Sequence, residues 1–309
     1  MKTVNIMLIL LSIISCSTPK EIVKQNNLAP RLSFSGNGKY TIVMDAGLGN
    51  WSLFYKPLAG KLSKDYRVCL IDRAGYAMNS VTSYPRDART IAVEMNKALI
   101  EKGVTNNIIL VGHSLGGLHV RMYQSLYPEK VKAIVLLDAA SPNQFEYLPR
   151  EFEELKNNQV KSLDKVIKIA QKGYLKYSKG KIPTFGLPKN LLDDYYKVTT
   201  KPEYYFTMQK ETEWFEESLK QVGKLDDLGD LPLLVIASKN SLNKNLIPNK
   251  KKNYPFEKHN ISWLKLQKEL SNLSENSTFI VSEKDHYLNI TDTNLVYNYM
   301  IQFLRNNQL

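Results

Sequence analysis

Cysteine is scarce in this sequence, since the chain of 309 residues contains two. Cys69 lies in an apolar segment that predicts a buried strand, and the other, Cys16, lies far from it in the sequence near the N-terminus. We therefore expect no disulfide between them. Cys69 also lacks a companion motif of the kind that surrounds a catalytic thiol. The chain thus depends on burial of apolar surface, which its length and its 43% hydrophobic content allow.

Long hydrophobic runs are also few, and the most prominent, Val4 to Ile14, is too short to span a bilayer. It follows Lys2 and suits the apolar region of a signal peptide, predicted over 1–15. The run ends in Ile13-Ile14-Ser15-Cys16, which resembles a bacterial lipobox. That resemblance implies that Cys16 carries acyl chains and tethers the protein to an envelope membrane. The alternative is an ordinary signal peptide that ends near a cysteine.

Acidic residues are outnumbered, because 42 Lys and Arg face 30 Asp and Glu and leave a formal charge of +12. The densest basic cluster is Lys250 to Lys252, with Lys244 nearby, among Asn and Pro residues. No nucleic-acid-binding motif accompanies it, so we expect no nucleic-acid partner. Two interpretations of this cluster remain: it attracts anionic lipid, or it is an ordinary solvated loop.

Short apolar strands alternate with helical patterns over 39–142 and again over 229–309. This alternation predicts an α/β fold with a mostly parallel central sheet covered by helices on both faces. Residues 143–228 are helical in pattern and lack strand signals, so they predict an inserted helical cap. The polar segment 16–38 predicts a tether, with a possible edge strand from Arg31 to Phe34.

The strand predicted from Ile108 to Val111 ends in Gly112-His-Ser-Leu-Gly116, and helical spacing follows. Gly-x-Ser-x-Gly between a strand and a helix is the nucleophile elbow, in which a strained turn exposes the serine. The pattern therefore predicts that Ser114 is a nucleophile at the N-terminus of a helix. A Gly-Ser turn in an ordinary βα unit is the alternative.

Together with this elbow, three further segments resemble the α/β-hydrolase family. Asp45-Ala-Gly-Leu-Gly49 is similar to the family's oxyanion loop, and Asp72-Arg-Ala-Gly-Tyr76 to the loop after the next strand. Leu228-Gly-Asp-Leu-Pro-Leu233 resembles the return from cap to core. The resemblance implies an α/β-hydrolase fold with an inserted cap, and no metal or organic cofactor. It also implies backbone N–H donors at Leu48 and Leu115.

A serine nucleophile needs a base, and the resemblance implies His286, which follows the last predicted strand. The resemblance favours Asp138, at the end of the strand Ala133 to Leu137, as the acid. Glu257, far beyond the next strand, and a weak or absent acid are the alternatives. The other histidines are expected to have structural or surface roles: His113, His119 and His259.

We therefore expect a serine hydrolase that cleaves a carboxylic ester or related acyl bond of a small molecule. An aminopeptidase or amidase of the same fold is the alternative enzyme, favoured if Glu213 or Glu216 binds a substrate amine. A surface-anchored binding module with a vestigial triad is the alternative outside enzymes. Aromatic residues at helical spacing in the cap could form its core or line a substrate pocket: Tyr195, Tyr196, Tyr204, Tyr205, Phe206, Trp214 and Phe215.

Overall fold

The structure is a computed structural model that describes residues 30–79, 85–243 and 253–309. The predicted signal peptide with Cys16 and the basic cluster around Lys250 lie outside these residues. Within the described ranges, no helix is both long enough and apolar enough to cross a membrane.

A single sheet organises the described part of the chain, with its strands in the order β1-β3-β2-β4-β5-β6-β7. β1 runs antiparallel to β3, and every other neighbouring pair is parallel. The predicted mostly parallel sheet is thus confirmed. The strands are β1 Arg31–Ser35, β2 Thr41–Asp45, β3 Arg67–Asp72, β4 Ile108–His113, β5 Val131–Leu137, β6 Leu233–Asn240 and β7 Ser277–Asp285.

Helices cover both faces of the sheet, which explains why the central strands are continuous apolar runs. One face packs against α2 and α3, where Met95 and Leu118 are fully buried. The other face packs against α1 and α11, where Leu58 and Met300 are fully buried. The helices are α1 Lys56–Leu62, α2 Ala88–Glu101, α3 Leu115–Leu126, α4 Gln144–Tyr147, α5 Arg150–Gln171, α6 Leu192–Thr199, α7 Pro202–Glu213, α8 Phe215–Val222, α9 Phe256–Ser271, α10 Leu288–Thr291 and α11 Thr293–Asn306.

The chain between β5 and β6 forms α4 to α8, which we call the cap helices, and the described residues include no strand there. Their aromatic side chains pack against the segment after β2: Tyr195 stacks on Trp51 at 5.6 Å and also contacts Phe54. Tyr204 makes an edge contact with the same Trp51. Most of the aromatic residues noted in the sequence therefore stabilise the attachment of the cap helices, whereas Phe215 lines a cavity.

The edge strand expected from Arg31 to Phe34 is present as β1, which pairs along its whole length with β3. Helix α9 begins at Phe256, so His259 lies inside it and is 2% exposed. The spacing of apolar residues does not by itself show that this polar side chain is buried.

Candidate active site

Ser114 occupies a strained turn between β4 and α3, with φ 52° and ψ −122°. A serine at positive φ is uncommon, and the neighbouring chain holds it there. Its N–H donates to the carbonyl of Leu137 at 3.1 Å, and its carbonyl accepts from Ala140 at 2.9 Å. The hydroxyl is thereby held at the carboxyl edge of the sheet, as the sequence predicted for a nucleophile elbow.

Glycine is required beside this turn because the loop after β2 packs directly on it. A β-carbon on Gly47 would lie 2.9 Å from the Ser114 Cβ, and one on Gly116 would lie 2.4 Å from the Asp45 carbonyl oxygen. Both distances are shorter than β-carbons tolerate. The absence of these atoms lets the backbone of 45–49 lie against the serine.

His286 follows β7, and its Nδ1 lies 2.6 Å from Oδ2 of Asp138, the residue that follows β5. Because a carboxylate can only accept a hydrogen bond, Nδ1 of His286 carries the proton, and Nε2 presents a lone pair. The hydrogen bonds of the described residues include none between Ser114 and His286. Such bonds commonly tighten only when substrate binds.

Asp138 is fully buried and its carboxylate accepts from four donors. Oδ1 accepts from the Ser238 amide at 2.8 Å and from Trp263 Nε1 at 2.7 Å. Oδ2 accepts from Ser241 Oγ as well as from His286. Glu257, the alternative acid, lies exposed at the start of α9. The structure therefore places Asp138 on the imidazole. The sequence pattern contained no signal for Ser241 or Trp263.

Ser114 and His286 line one cavity of about 530 Å³ between the sheet edge and the cap helices. This volume is typical of sites for small molecules. Its lining includes four aromatic side chains, Phe145, Phe152, Phe215 and Trp263. It also includes five polar, uncharged side chains, Gln144, Asn158, Gln159, Ser162 and Thr212.

Leu48 and Leu115 also line this cavity beside Ser114. The backbone hydrogen bonds of the described residues include no acceptor for either of their N–H groups. Leu115 is the first residue of α3, where N–H groups lack intrahelical partners. Two free amides beside a serine and a histidine can bind negative charge that develops on a carbonyl oxygen.

Comparison with known proteins identifies the family to which this arrangement belongs. The family model of the alpha/beta hydrolase fold matches residues 41–298, which is most of the chain. The chain belongs to the α/β-hydrolase fold family. An esterase from Thermogutta terrifontis has the same fold with a TM-score of 0.64, covering 91% of this chain and 94% of its own, at 16% sequence identity.

Two curated relatives match shorter stretches. An uncharacterized Bacillus subtilis protein, YbdG, is 35% identical over 112 residues, which are 36% of this chain and 34% of that protein. The 2-hydroxy-6-oxononadienedioate/2-hydroxy-6-oxononatrienedioate hydrolase of Paraburkholderia phymatum is 28% identical over 123 residues, which are 38% of this chain and 43% of that protein. The matches thus span less than half the length of either relative.

Within this α/β-hydrolase site, His113 holds the loop that carries His286. Its Nε2 donates a hydrogen bond to the His286 carbonyl oxygen at 2.8 Å. A neutral ring with its proton on Nε2 is sufficient for this contact. Burial, with a smaller contribution from the charge of His286, lowers the pKa of His113 to about 3. The sequence predicted a structural role, and the contact agrees with it.

The two remaining histidines are buried. His119 on α3 lies with Nδ1 2.6 Å from Oδ2 of Asp45. His259 on α9 lies with Nδ1 2.7 Å from the Tyr254 hydroxyl, and burial lowers its pKa to about 4. Neither contacts the Ser114 hydroxyl. Of the two roles left open for His119, packing or a surface position, the structure shows packing, because helix α3 holds the fully buried ring against β2.

Arg73 forms a buried polar network that braces the loops near the elbow. It is 1% exposed, and it contacts Asp45, Glu211 and two backbone carbonyls. Burial alone would raise the pKa of Asp45. The contacts with Arg73 and His119 have a larger combined effect in the opposite direction and lower the pKa to about 2. Asp45 is therefore a carboxylate at neutral pH.

Other reactive groups of the described residues are poorly suited to catalysis. Burial raises the pKa of the Cys69 thiol to about 12, so it is not a nucleophile at neutral pH. Among the described residues, no group of three or more His, Cys, Asp or Glu side chains has the arrangement of a metal site.

Proposed function

We propose that this protein is a serine hydrolase that cleaves a carboxylic ester or related acyl bond through an acyl-enzyme on Ser114. The observation that carries the proposal is the convergence of Ser114, the Asp138–His286 pair and two unpaired amides on one cavity. The hydrolase named in Paraburkholderia phymatum supports hydrolysis as the class of reaction.

In the proposed reaction His286 carries out each proton transfer. His286 Nε2 takes the proton of Ser114 as Oγ bonds to the acyl carbon, and the carbonyl π electrons move to oxygen. The N–H groups of Leu48 and Leu115 hold that oxyanion. When the C–O bond to the leaving group breaks, His286 returns the proton to it. Water then attacks the acyl-enzyme by the same route and frees Ser114.

The cavity wall favours an uncharged substrate, because its charged residues are already paired. Lys156 forms an ion pair with Glu216, and Glu211 is bound by Arg73. Gln144 is 2% exposed and its Oε1 has no hydrogen-bond partner, so it can accept from a hydroxyl or amide of the substrate. We expect neutral esters to be better substrates than dicarboxylic ones.

The alternative functions are less well supported by the site. Glu213, suggested as an amine-binding group of an aminopeptidase, pairs with Lys210 instead, and Glu216 pairs with Lys156. Glu211 lines the cavity, yet its carboxylate is bound by Arg73 and Tyr76. A binding module would not need His286 to be held by a buried carboxylate.

The proposal is tested with a series of p-nitrophenyl esters of increasing acyl length and with aminoacyl arylamides. We expect ester turnover by the wild type and its loss, by about 10³-fold or more, in Ser114→Ala. Ser162→Ala removes another hydroxyl of the same cavity and should keep turnover within a few-fold. Turnover that survives in Ser114→Ala would exclude the acyl-enzyme, and turnover of the arylamides alone would identify a peptidase.

A further inference from the structure

The guanidinium of Arg73 is fixed to the loop that follows β2. Nη1 donates to the Ala46 carbonyl at 2.6 Å, and Nη2 donates to the Gly47 carbonyl at 2.9 Å. The Asn50 amide also donates to Gly47, at 3.1 Å. Two donors therefore fix the direction of the Gly47 carbonyl.

That direction determines where the amide of Leu48 points. The Gly47 carbonyl and the Leu48 N–H belong to the same peptide unit, and the described chain contains no cis peptide. In a planar trans peptide the C=O and N–H point in opposite directions. Because the carbonyl faces Arg73, the N–H faces away from it. Leu48 lines the cavity beside Ser114, and its N–H has no acceptor in the described backbone.

Helix α7 holds Arg73 in this position. Glu211 of α7 is fully buried and binds the guanidinium through two bonds, from Nε at 2.7 Å and from Nη2 at 3.0 Å. A bidentate pair of this kind fixes the plane of the guanidinium as well as its distance. The orientation of the loop beside Ser114 thus depends on Glu211, which lies 138 positions from Arg73 in the sequence.

The same helix also fixes the other side of Leu48. The Tyr204 hydroxyl of α7 donates to the Gly49 carbonyl at 2.9 Å. The Tyr76 hydroxyl donates to Glu211 at 2.8 Å and accepts from the Gly49 N–H at 3.1 Å. Both peptide neighbours of Leu48 are therefore held through α7.

We propose that Glu211 and Arg73 are positioning residues that orient the Leu48 amide as an oxyanion donor. The inference rests on the proposed acyl hydrolysis and adds that α7 of the cap completes the site. An orienting role predicts loss of transition-state stabilisation with little change in substrate binding, because neither side chain needs to touch the substrate's ground state.

Glu211→Gln is the informative variant because it leaves the buried cation balanced. Asp45 still pairs with Arg73 at 2.7 Å, whereas removal of Arg73 would leave the buried carboxylates of Asp45 and Glu211 without their shared guanidinium. Glutamine keeps the size of the side chain, but its amide cannot accept two bonds from the fork. Glu213→Gln is the matched control, since it removes an exposed carboxylate from the same helix.

The experiment measures kcat and KM of the full chain on the best p-nitrophenyl ester. We expect kcat to fall by about tenfold or more in Glu211→Gln, with KM within about twofold, and Glu213→Gln to match the wild type. Affinity for a trifluoromethyl ketone, which forms an oxyanion on serine, should fall by the same factor as kcat/KM. Affinity for the matching secondary alcohol, which forms none, should not change.

The possible failures are distinguishable. An unchanged kcat in Glu211→Gln, or a loss confined to KM, would overturn the positioning role while the hydrolase proposal stands. Arg73→Lys, which keeps the charge but loses the planar fork, should reproduce the fall in kcat. If the wild type shows no turnover that depends on Ser114, the proposed function fails. In that case, crystal structures of the wild type and Glu211→Gln test the positioning role alone. Rotation of the 47–48 peptide in the variant would support it, and an unchanged peptide would overturn it.

Discussion

At the scale of single residues, the surroundings of Asp138 determine what its substitution would do. In Asp138→Asn the Ser238 amide and Trp263 Nε1 require an acceptor at Oδ1, so the new NH₂ must occupy the position of Oδ2. His286 Nδ1 must then accept, and its Nε2 carries the proton. That tautomer cannot deprotonate Ser114.

We therefore expect kcat of Asp138→Asn to fall by about 10³ to 10⁴ on the ester substrate while the fold is retained. The measurement is steady-state kinetics with circular dichroism as the check on folding. Glu257→Gln changes the alternative acid, which is exposed, and should retain the wild-type rate. A larger loss in Glu257→Gln than in Asp138→Asn would reverse the assignment.

At the scale of secondary structure elements, β2, β4 and α3 meet at the elbow with no space for another atom. A β-carbon at Gly116 would lie 2.4 Å from the Asp45 carbonyl oxygen, at the end of β2. Gly60, in α1, has no heavy atom within 4 Å of such a position. Substitution of either glycine by alanine adds the same methyl group, at Gly116 into a closely packed site and at Gly60 into open space.

Gly116→Ala should lower the free energy of unfolding by about 1–3 kcal/mol, because α3 or β2 must shift. Gly60→Ala should raise it by about 0.5–1 kcal/mol, since alanine is the better helix former. Urea unfolding of both variants is the measurement. Equal stability of Gly116→Ala and the wild type would mean that the elbow packs less closely than described.

At the scale of the whole molecule, buried neutral histidines make stability depend on pH. Burial lowers the pKa of His113 from 6.5 to about 3, and that of His259 from 6.5 to about 4. For both histidines the pKa in the folded protein lies below the pKa in the unfolded chain. At pH values between the folded and the unfolded pKa, the unfolded chain therefore binds more protons than the folded protein. The stabilisation is complete above pH 6.5 and is lost as the pH falls towards 4.

We expect the free energy of unfolding to decrease from about pH 6.5 downwards, by up to about 1.4 kcal/mol per pH unit for each histidine. Urea unfolding at several values between pH 7.5 and pH 4.5 measures this slope. His113→Gln keeps a donor for the His286 carbonyl and removes the titration, so its slope should be smaller. A flat profile over this range would contradict the prediction.

The location of the whole protein stays a prediction from the sequence. Cys16 and the segment before it lie outside the described residues. If the lipobox resemblance is correct, the full chain incorporates labelled fatty acid and Cys16→Ser does not. Labelling that is equal in both chains would rule out this anchor.

The sequence by itself determined the fold class and the position of the strained turn that carries Ser114. Local rules were sufficient there, because buried parallel strands require continuous apolar runs, and the elbow requires small residues on both sides of Ser114. Resemblance to the α/β-hydrolase family, now confirmed, added His286 and left Asp138 and Glu257 as alternative acids.

Only the tertiary structure decided which groups meet around that serine. The choice of Asp138 as the partner of His286 depends on β5, β6 and α9 converging on one carboxylate, which no local pattern records. The link from Glu211 through Arg73 to the Leu48 amide joins segments far apart in the chain. Such contacts arise from packing, and a buried charge shows its partners only when the chain is folded.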